Sequence, residues 1–396
     1  MDRIPPKFLW MFVAKGLTML SSLCLYWVMA DQFGSQLFGV FALGLLYANL
    51  LGNFSDFGIG MNGPVLYRKL QEKGFSAYGG IQQFRWKLSL LSTVIYVFFV
   101  FLFYPNYCVP LLCLIPFLWF IGTGFTWMYR QLQSPRKIVI ATLVMIVFQW
   151  MGYILALKTQ ESNYFFIVYG LSGWLGLLIA SWNMRFLWNW NTTEIELNRQ
   201  LFSQWPTVLG FFIGSLHTNF YYLLFSLQGR MEELGNFQAH WLLYTSILSC
   251  GLIYNEIFSS FEKYRKSQYW LGILGLWIFG LIILGSAQYY FDFLFSDKGY
   301  AYQSQWIWLL IVLYTVELVL RIGGLQTLLL VLKTKEYLKW NSLGMALQLV
   351  VLGILWVVGR FTQEIAQLLW VLVFCELVLL LLFYGGFRKF QTDEQN

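Results

Sequence analysis

Charged residues are scarce in this sequence. Asp, Glu, Lys and Arg together make up 11% of its 396 residues, whereas soluble globular domains carry about 25%. Hydrophobic residues account for 58% and aromatic residues for 20%, so the chain has too little polar surface for an ordinary water-soluble enzyme. This composition predicts a membrane protein.

Residues that bind metals or form disulfides are also few. The chain has two histidines and five cysteines, and an odd number of cysteines at unrelated spacings fits neither a disulfide framework nor a metal site. The sequence contains no HExxH motif and no Gly-rich loop ending in GK[ST], which argues against metal hydrolysis and ATP-driven transport. We therefore expect no enzyme activity, no cofactor and no bound metal.

Long apolar stretches separated by short polar segments make up most of the chain. A helix needs about 20 apolar residues to cross a bilayer. Twelve stretches meet this requirement, near 8–30, 37–58, 88–104, 107–127, 138–157, 164–184, 205–227, 237–259, 270–290, 306–331, 340–358 and 365–386. The first is longer than the apolar core of a signal peptide, typically about 7–15 residues, so we expect it to remain as the first transmembrane helix.

The positive charges indicate which side each loop occupies. With the N-terminus in the cytoplasm, 20 of the 26 lysines and arginines fall in cytoplasmic segments, including the basic loop that runs from Arg68 to Lys87. Only four fall outside, and two lie within spans. This bias follows the positive-inside rule and predicts that both termini are cytoplasmic. The net charge of +7 therefore needs no nucleic-acid partner.

A weak internal repeat predicts how the helices are grouped. Gly39 and Phe41 open span two, and Gly235 and Phe237 open span eight in the same arrangement. We expect an all-α integral membrane protein with two six-helix lobes in parallel repeat. The predicted parts are an N-terminal lobe at 1–190, a cytoplasmic linker at 191–204, a C-terminal lobe at 205–387 and a cytoplasmic tail at 388–396. Because spans seven and eight are the most polar, a ten-helix topology stays open.

Three short windows resemble a known family. Residues 30–60 contain Phe38 and Gly39 at a helix start and the triplet Asp56-Phe57-Gly58 at a helix end. Together with 232–239 and 125–144, this window resembles the polysaccharide-exporter branch of the multidrug/oligosaccharidyl-lipid/polysaccharide superfamily. The segment 129–135 lacks the glycine common in that family, so no role is transferred to it.

The resemblance implies a function and a location. Members of that branch include flippases of the O-antigen of lipopolysaccharide, which move oligosaccharides linked to undecaprenyl diphosphate across the bacterial inner membrane. It also implies a lipid-linked oligosaccharide as substrate, membrane lipid as surroundings, a coupling ion and a polysaccharide polymerase as partner. Two alternatives remain, a membrane-embedded polymerase or ligase and a drug or metabolite exporter of the same superfamily. An enzyme of the first kind is expected to have a large outer loop with Arg or His, and the longest outer loop, 291–305, has neither.

Ionisable residues within spans are the best site candidates, because an ionisable group facing lipid costs at least about 2.5 kcal/mol. Lys15 and Asp56 lie toward the cytoplasmic ends of spans one and two, where they can pair at the substrate entrance. Glu317 and Arg321 share one face of span ten at i,i+4 spacing. We expect these four to bind substrate as cations and their partners. A structural ion pair for Arg321 and snorkelling of Lys15 to the interface are the alternatives.

Three further residues are candidates for a coupling site. Glu376, Glu256 and His217 could bind a coupling proton or sodium ion, although a histidine in a helix bundle is more often hydrogen-bonded to a neighbour. Aromatic residues deep in spans could instead stack on sugar rings or pack within the membrane; these are Tyr221, Tyr222 and Tyr314.

Overall fold

The computed structural model describes residues 6–60, 77–124, 136–182, 202–258, 266–295, 302–325, 334–359 and 364–393, and the single positions 300 and 361. Within a bilayer every backbone N–H and C=O group must be paired inside the protein, which restricts spanning segments to helices or closed barrels. The regular secondary structure in the described ranges is entirely helical.

The described residues up to 182 form six α-helices. They are α1 (Pro6–Asp56), α2 (Ala77–Phe103), α3 (Cys108–Leu112), α4 (Ile115–Thr123), α5 (Arg136–Thr159) and α6 (Ser162–Trp182). Helix α1 covers both of the first two predicted spans and is broken at Gly34, whose φ of 77° lies in the left-handed region that glycine adopts without strain. A bend of 49° separates Pro105–Leu112 from α4, so these two pieces make one broken span.

The described residues from 202 onward form seven α-helices. They are α7 (Trp205–Leu227), α8 (Met231–Phe258), α9 (Lys266–Gly285), α10 (Ala287–Phe295), α11 (Ser304–Glu317), α12 (Thr334–Val357) and α13 (Ile365–Asp393). Two of them are irregular. Asn219 interrupts the helical geometry inside α7, and α11 continues as a π-helix over Leu318–Leu325.

Each of the twelve predicted spans coincides with helix in the described ranges. Eight helices there are long and apolar enough to cross a membrane, or nine if the bent pair counts as one span. Helix α7 is among the eight. Helix α8 has the length but is not among them, in keeping with its polar residues. The all-α membrane fold predicted from the sequence is confirmed.

The chain divides into two compact units, residues 1–212 and 213–396, with the division inside α7. In the first unit, the ring of Phe41 on α1 lies edge-on to Phe165, Phe166 and Tyr169 of α6, at centroid distances of 5.2, 5.7 and 4.9 Å. Such aromatic pairs add about 0.5–1.5 kcal/mol each beyond their area burial. Together with a 3.4 Å hydrogen bond between the hydroxyls of Tyr26 on α1 and Tyr169 on α6, they hold the α1–α6 interface together.

Helix packing in the second unit combines rings with single hydrogen bonds. The hydroxyl of Tyr314 on α11 donates to the carbonyl of Leu276 on α9 at 2.6 Å, and the indole of Trp277 donates to Thr315 at 3.0 Å. Both bonds satisfy polar atoms that have no water to pair with inside a membrane. They fix α9 against α11, the helix that leads into the π-helix.

Candidate functional site

Four ionisable side chains meet in the second unit. They come from three helices and form what we call the C-terminal charge cluster, namely His217, Glu317, Arg321 and Glu376. Glu317, Glu376 and His217 are each at most 1% exposed. His217 and Glu376 lie inside the long apolar helices α7 and α13, and Glu317 and Arg321 lie where α11 passes into the π-helix. An ionisable group inside a membrane is costly. Charge at such a place persists only when it is paired.

Arg321 joins two carboxylates from different helices. Its Nε lies 3.1 Å from Glu317 Oε1 on the preceding turn, and its Nη2 donates to Glu376 Oε1 on α13. The arginine lies inside the π-helix, and π-helical turns are frequent at functional sites. The side chain of Arg321 is 17% exposed, so the guanidinium lies at the edge of the buried cluster.

His217 joins the same cluster from α7. Its Nε2 lies 3.0 Å from Glu376 Oε1 and its Nδ1 lies 2.7 Å from the side-chain oxygen of Gln348 on α12. The break at Asn219 comes two residues later, and the amide of Asn219 bonds to the Ser215 carbonyl at 2.9 Å. The histidine thus sits where its helix departs from regular geometry.

Two further contacts complete the cluster. The hydroxyl of Tyr244 on α8 donates to Glu317 Oε2. Gly344 on α12 faces His217, and a Cβ at this glycine would lie 3.3 Å from His217 Nε2 and 2.7 Å from a methyl carbon of Leu379. Small residues at such points let membrane helices approach closely. Glycine here leaves the imidazole room between α12 and α13.

The structure therefore brings together four of the seven sequence-predicted site residues. Glu317 and Arg321 form the ion pair that their spacing allowed. Glu376 and His217, which were assigned to a coupling ion, contact each other within the same cluster. The side chains of Glu256 and Lys15 lie outside the described residues, so the roles assigned to them stay predictions.

The remaining predicted residue, Asp56, has a partner that the sequence did not indicate. Its Oδ1 accepts a hydrogen bond from Arg85 Nη2 of α2 at 2.5 Å, and its Oδ2 accepts one from the Gly60 N–H at 2.8 Å. Arg85 also donates to the carbonyl of Gly124 at 2.8 Å. This N-terminal ion pair joins the end of α1, the first half of α2 and the end of α4.

Arg85 corrects one sequence assignment. It was counted with the basic cytoplasmic loop from Arg68 to Lys87, because span three was expected to begin at 88. Helix α2 begins at Ala77, and Arg85 is 1% exposed. It is therefore a buried ion-pair residue and not a loop residue that anchors the topology.

The deep aromatic residues are packed and not open to a ligand. Tyr221, Tyr222 and Tyr314 are at most 3% exposed. The Tyr221 ring lies 4.7 Å from Phe237 and 5.2 Å from Trp241. Their contacts are those of a helix interface, so the suggestion that they stack on sugar rings is wrong for the conformation described.

No protein-family model and no curated protein matches the sequence. Solved structures do match the fold. A structure described as the inward-facing conformation of a multidrug resistance MATE family transporter of the MOP superfamily aligns with a TM-score of 0.66 at 12% identity, covering 96% of each chain. The fold is that of a MATE transporter. A crystal structure of MATE in complex with Br-NRF aligns with a TM-score of 0.57 at 13% identity, covering 98% of this chain and 95% of that one.

The two structures are described as MATE transporters, one of them of the MOP superfamily. At 12–13% identity the likeness concerns the fold alone; it does not extend to the polysaccharide-exporter branch or to a substrate. A fold shared by proteins with different substrates leaves function to be argued from the site. In this MATE fold, the C-terminal charge cluster is the largest group of buried ionisable residues among those described.

Proposed function

We propose that this protein is an exporter of the bacterial inner membrane that flips a lipid-linked oligosaccharide by alternating access. The observation that carries the proposal is the MATE fold over 96% of the chain. The windows at 30–60, 125–144 and 232–239, part of which lie outside the described residues, support the polysaccharide branch through their resemblance to it. The substrate is then an oligosaccharide on undecaprenyl diphosphate, the precursor of O-antigen or another surface polysaccharide.

The buried charges fit an exporter driven by a cation gradient. In the C-terminal charge cluster two carboxylates face one guanidinium, so with a neutral His217 the cluster is left with one negative charge. A cation that binds there removes this charge and changes the energetic balance between conformations. We therefore propose a coupling proton or sodium ion bound at Glu376 and His217, with Glu256 as a further candidate. A polysaccharide polymerase remains the proposed partner.

Arg321 is the proposed contact for the diphosphate. Its side chain is partly exposed at the edge of the cluster, and arginine binds phosphate oxygens through paired N–H donors. Lys15 and Asp56 are proposed to receive the substrate at the cytoplasmic entrance. In this scheme the positively charged guanidinium of Arg321 is shared between the carboxylates and the substrate. Substrate binding therefore weakens the pairing of Arg321 with Glu317 or Glu376.

A drug or metabolite exporter is the second candidate. One of the matching structures is described as a multidrug resistance transporter. Both arginines buried in the described helices, Arg85 and Arg321, are paired with carboxylates, an arrangement that leaves less positive charge for a diphosphate. The two candidates predict different phenotypes when the gene is deleted.

Deletion of the gene tests the function in cells. For a flippase we expect loss of the surface glycan and accumulation of the full lipid-linked repeat unit on the cytoplasmic side, measured by gel analysis of surface glycan and by mass spectrometry of lipid extracts. The control is a deletion strain carrying the wild-type gene on a plasmid. Full-length surface glycan without an accumulated intermediate contradicts the flippase proposal. Heightened drug sensitivity in the deletion strain supports the second candidate. Surface glycan shortened to one repeat unit in that strain supports a polymerase.

A further inference from the structure

Both ring nitrogens of His217 face oxygen atoms. Nε2 lies 3.0 Å from a carboxylate oxygen of Glu376, and Nδ1 lies 2.7 Å from the amide oxygen of Gln348. An ionised carboxylate and an amide oxygen accept hydrogen bonds and cannot donate them. With the Gln348 amide oxygen turned toward the ring, as it is here, both hydrogen bonds form when each ring nitrogen carries an N–H. The arrangement is therefore that of the positively charged imidazolium.

A proton on His217 also balances the buried charge. Glu317 and Glu376 bring two negative charges, and Arg321 brings one positive charge. With a neutral imidazole the cluster keeps one uncompensated negative charge, whereas with the imidazolium its net charge is zero. Balanced, hydrogen-bonded charge is the form that a low-dielectric interior tolerates best. A single proton on His217 thus satisfies both the hydrogen bonds and the charge count.

The other titratable groups around His217 do not alter this count. Tyr244 reaches the cluster from α8 by donating to Glu317, so it is a neutral donor. Tyr337 and Asn341 lie on α12, where the Asn341 amide bonds to the Tyr337 carbonyl at 3.0 Å. Cys375 is a free, buried thiol beside Glu376. The charged groups that face the imidazole are thus Glu376 on α13 and the Glu317–Arg321 pair on α11 and its π-helix.

We propose that His217 is the proton-binding group of this protein, that its proton is the coupling ion, and that Gln348 is a positioning residue for it. The coupling part rests on the proposed export function.

Release of the proton changes the contacts of His217 in a defined way. The proton passes to water, and its electron pair stays on one ring nitrogen, which becomes an acceptor. That nitrogen then faces an oxygen of Glu376 or Gln348, so one hydrogen bond is lost unless the Gln348 amide turns to present its NH2 group. The cluster also becomes negative. Both effects weaken the contacts of α7 with α12 and α13, next to the break at Asn219.

The histidine content makes the protonation state directly measurable. The chain has two histidines, and their surroundings predict opposite states. His240 has Nδ1 3.0 Å from the Asn236 carbonyl, while its Nε2 accepts the backbone N–H of Gln303 at 3.1 Å. One donor and one acceptor describe a neutral imidazole. His240 is therefore an internal reference for His217.

The test is nitrogen NMR of full-length protein labelled with ¹⁵N-histidine in lipid nanodiscs at pH 7. We expect one imidazolium, with both nitrogens protonated, and one neutral ring. The imidazolium signal should disappear in His217→Gln and persist in His240→Asn. It should also be lost in Glu376→Gln, because the remaining charges of Arg321 and Glu317 balance each other without a proton on His217. A neutral His217 in the wild-type protein overturns the proposal, without reference to any substrate.

A second measurement tests the coupling. In proteoliposomes, wild-type export of a lipid-linked oligosaccharide should respond to an imposed proton gradient, and export by His217→Gln should not. Wild-type export that follows only a sodium gradient overturns the coupling role of His217 while leaving the export function intact. Absence of export by the wild-type protein under any gradient contradicts the proposed function, and the NMR result still decides the proton site.

Discussion

Replacement of Arg321 by alanine is expected to abolish export and to lower the free energy of unfolding by about 3–5 kcal/mol, the usual cost of removing one partner from a buried ion pair. Arg321 contacts Glu317 and Glu376, both of which are at most 1% exposed. Without the guanidinium, two carboxylates remain in an apolar interior, balanced only by the proton proposed on His217. Thermal unfolding in detergent and the amount of protein in the membrane measure the loss of stability.

A charge-neutral variant separates the structural role of Arg321 from its role in export. Arg321→Met combined with Glu317→Gln and Glu376→Gln removes these three charges at nearly constant volume, and it leaves His217 as a neutral imidazole because no carboxylate remains for its proton to balance. We expect this variant to regain most of the lost stability, because hydrophobic or neutral replacement of a whole buried ion network is often close to neutral. Export should stay absent. Normal export and normal unfolding in Arg321→Ala would remove this residue from the site.

Replacement of Asp56 by alanine is expected to destabilise the first unit by a similar amount, about 3–5 kcal/mol. The change leaves the guanidinium of Arg85, which is 1% exposed, without the carboxylate that accepts its 2.5 Å hydrogen bond. It also removes the acceptor for the Gly60 N–H after the end of α1. The unfolding temperature and membrane yield of Asp56→Ala measure this effect.

A double-mutant cycle provides the control for this pair. Asp56→Ala, Arg85→Met and their combination give the interaction energy once the two single effects are subtracted. We expect the combined variant to be more stable than the sum of the single losses predicts, because it has no unpaired buried charge. Additive losses would show that Asp56 and Arg85 do not interact.

The helices could be predicted from the sequence because a bilayer allows few alternatives. Apolar stretches of about 20 residues set the spans, and each predicted span coincides with a described helix. The Glu317–Arg321 contact could also be predicted, since i,i+4 residues are neighbours on one helix face. The contacts of Glu376 with Arg321 and with His217 could not be predicted, because these residues lie 55 and 159 positions from Glu376 in the sequence. Such contacts depend on the packing of helices, which hydropathy does not specify.

Arg85 shows where the charge-counting argument fails. The positive-inside rule treats a cation near the end of an apolar stretch as a loop residue. Arg85 lies in the sequence Phe84-Arg85-Trp86, and helix α2 begins eight residues before it. The preceding residues 79–83 are Gly-Gly-Ile-Gln-Gln, which are not an apolar stretch, so hydropathy did not indicate that Arg85 is buried.

The position of a lipid-linked oligosaccharide in reconstituted vesicles tests the central claim most directly. Purified protein is incorporated into vesicles that carry the labelled lipid, and a membrane-impermeant glycosidase measures the fraction of sugar exposed outside over time. The account predicts that wild-type protein moves the sugar between leaflets far faster than protein-free vesicles do, and that Arg321→Ala does not. Equal rates in wild-type and protein-free vesicles, with correctly folded protein present, would contradict it.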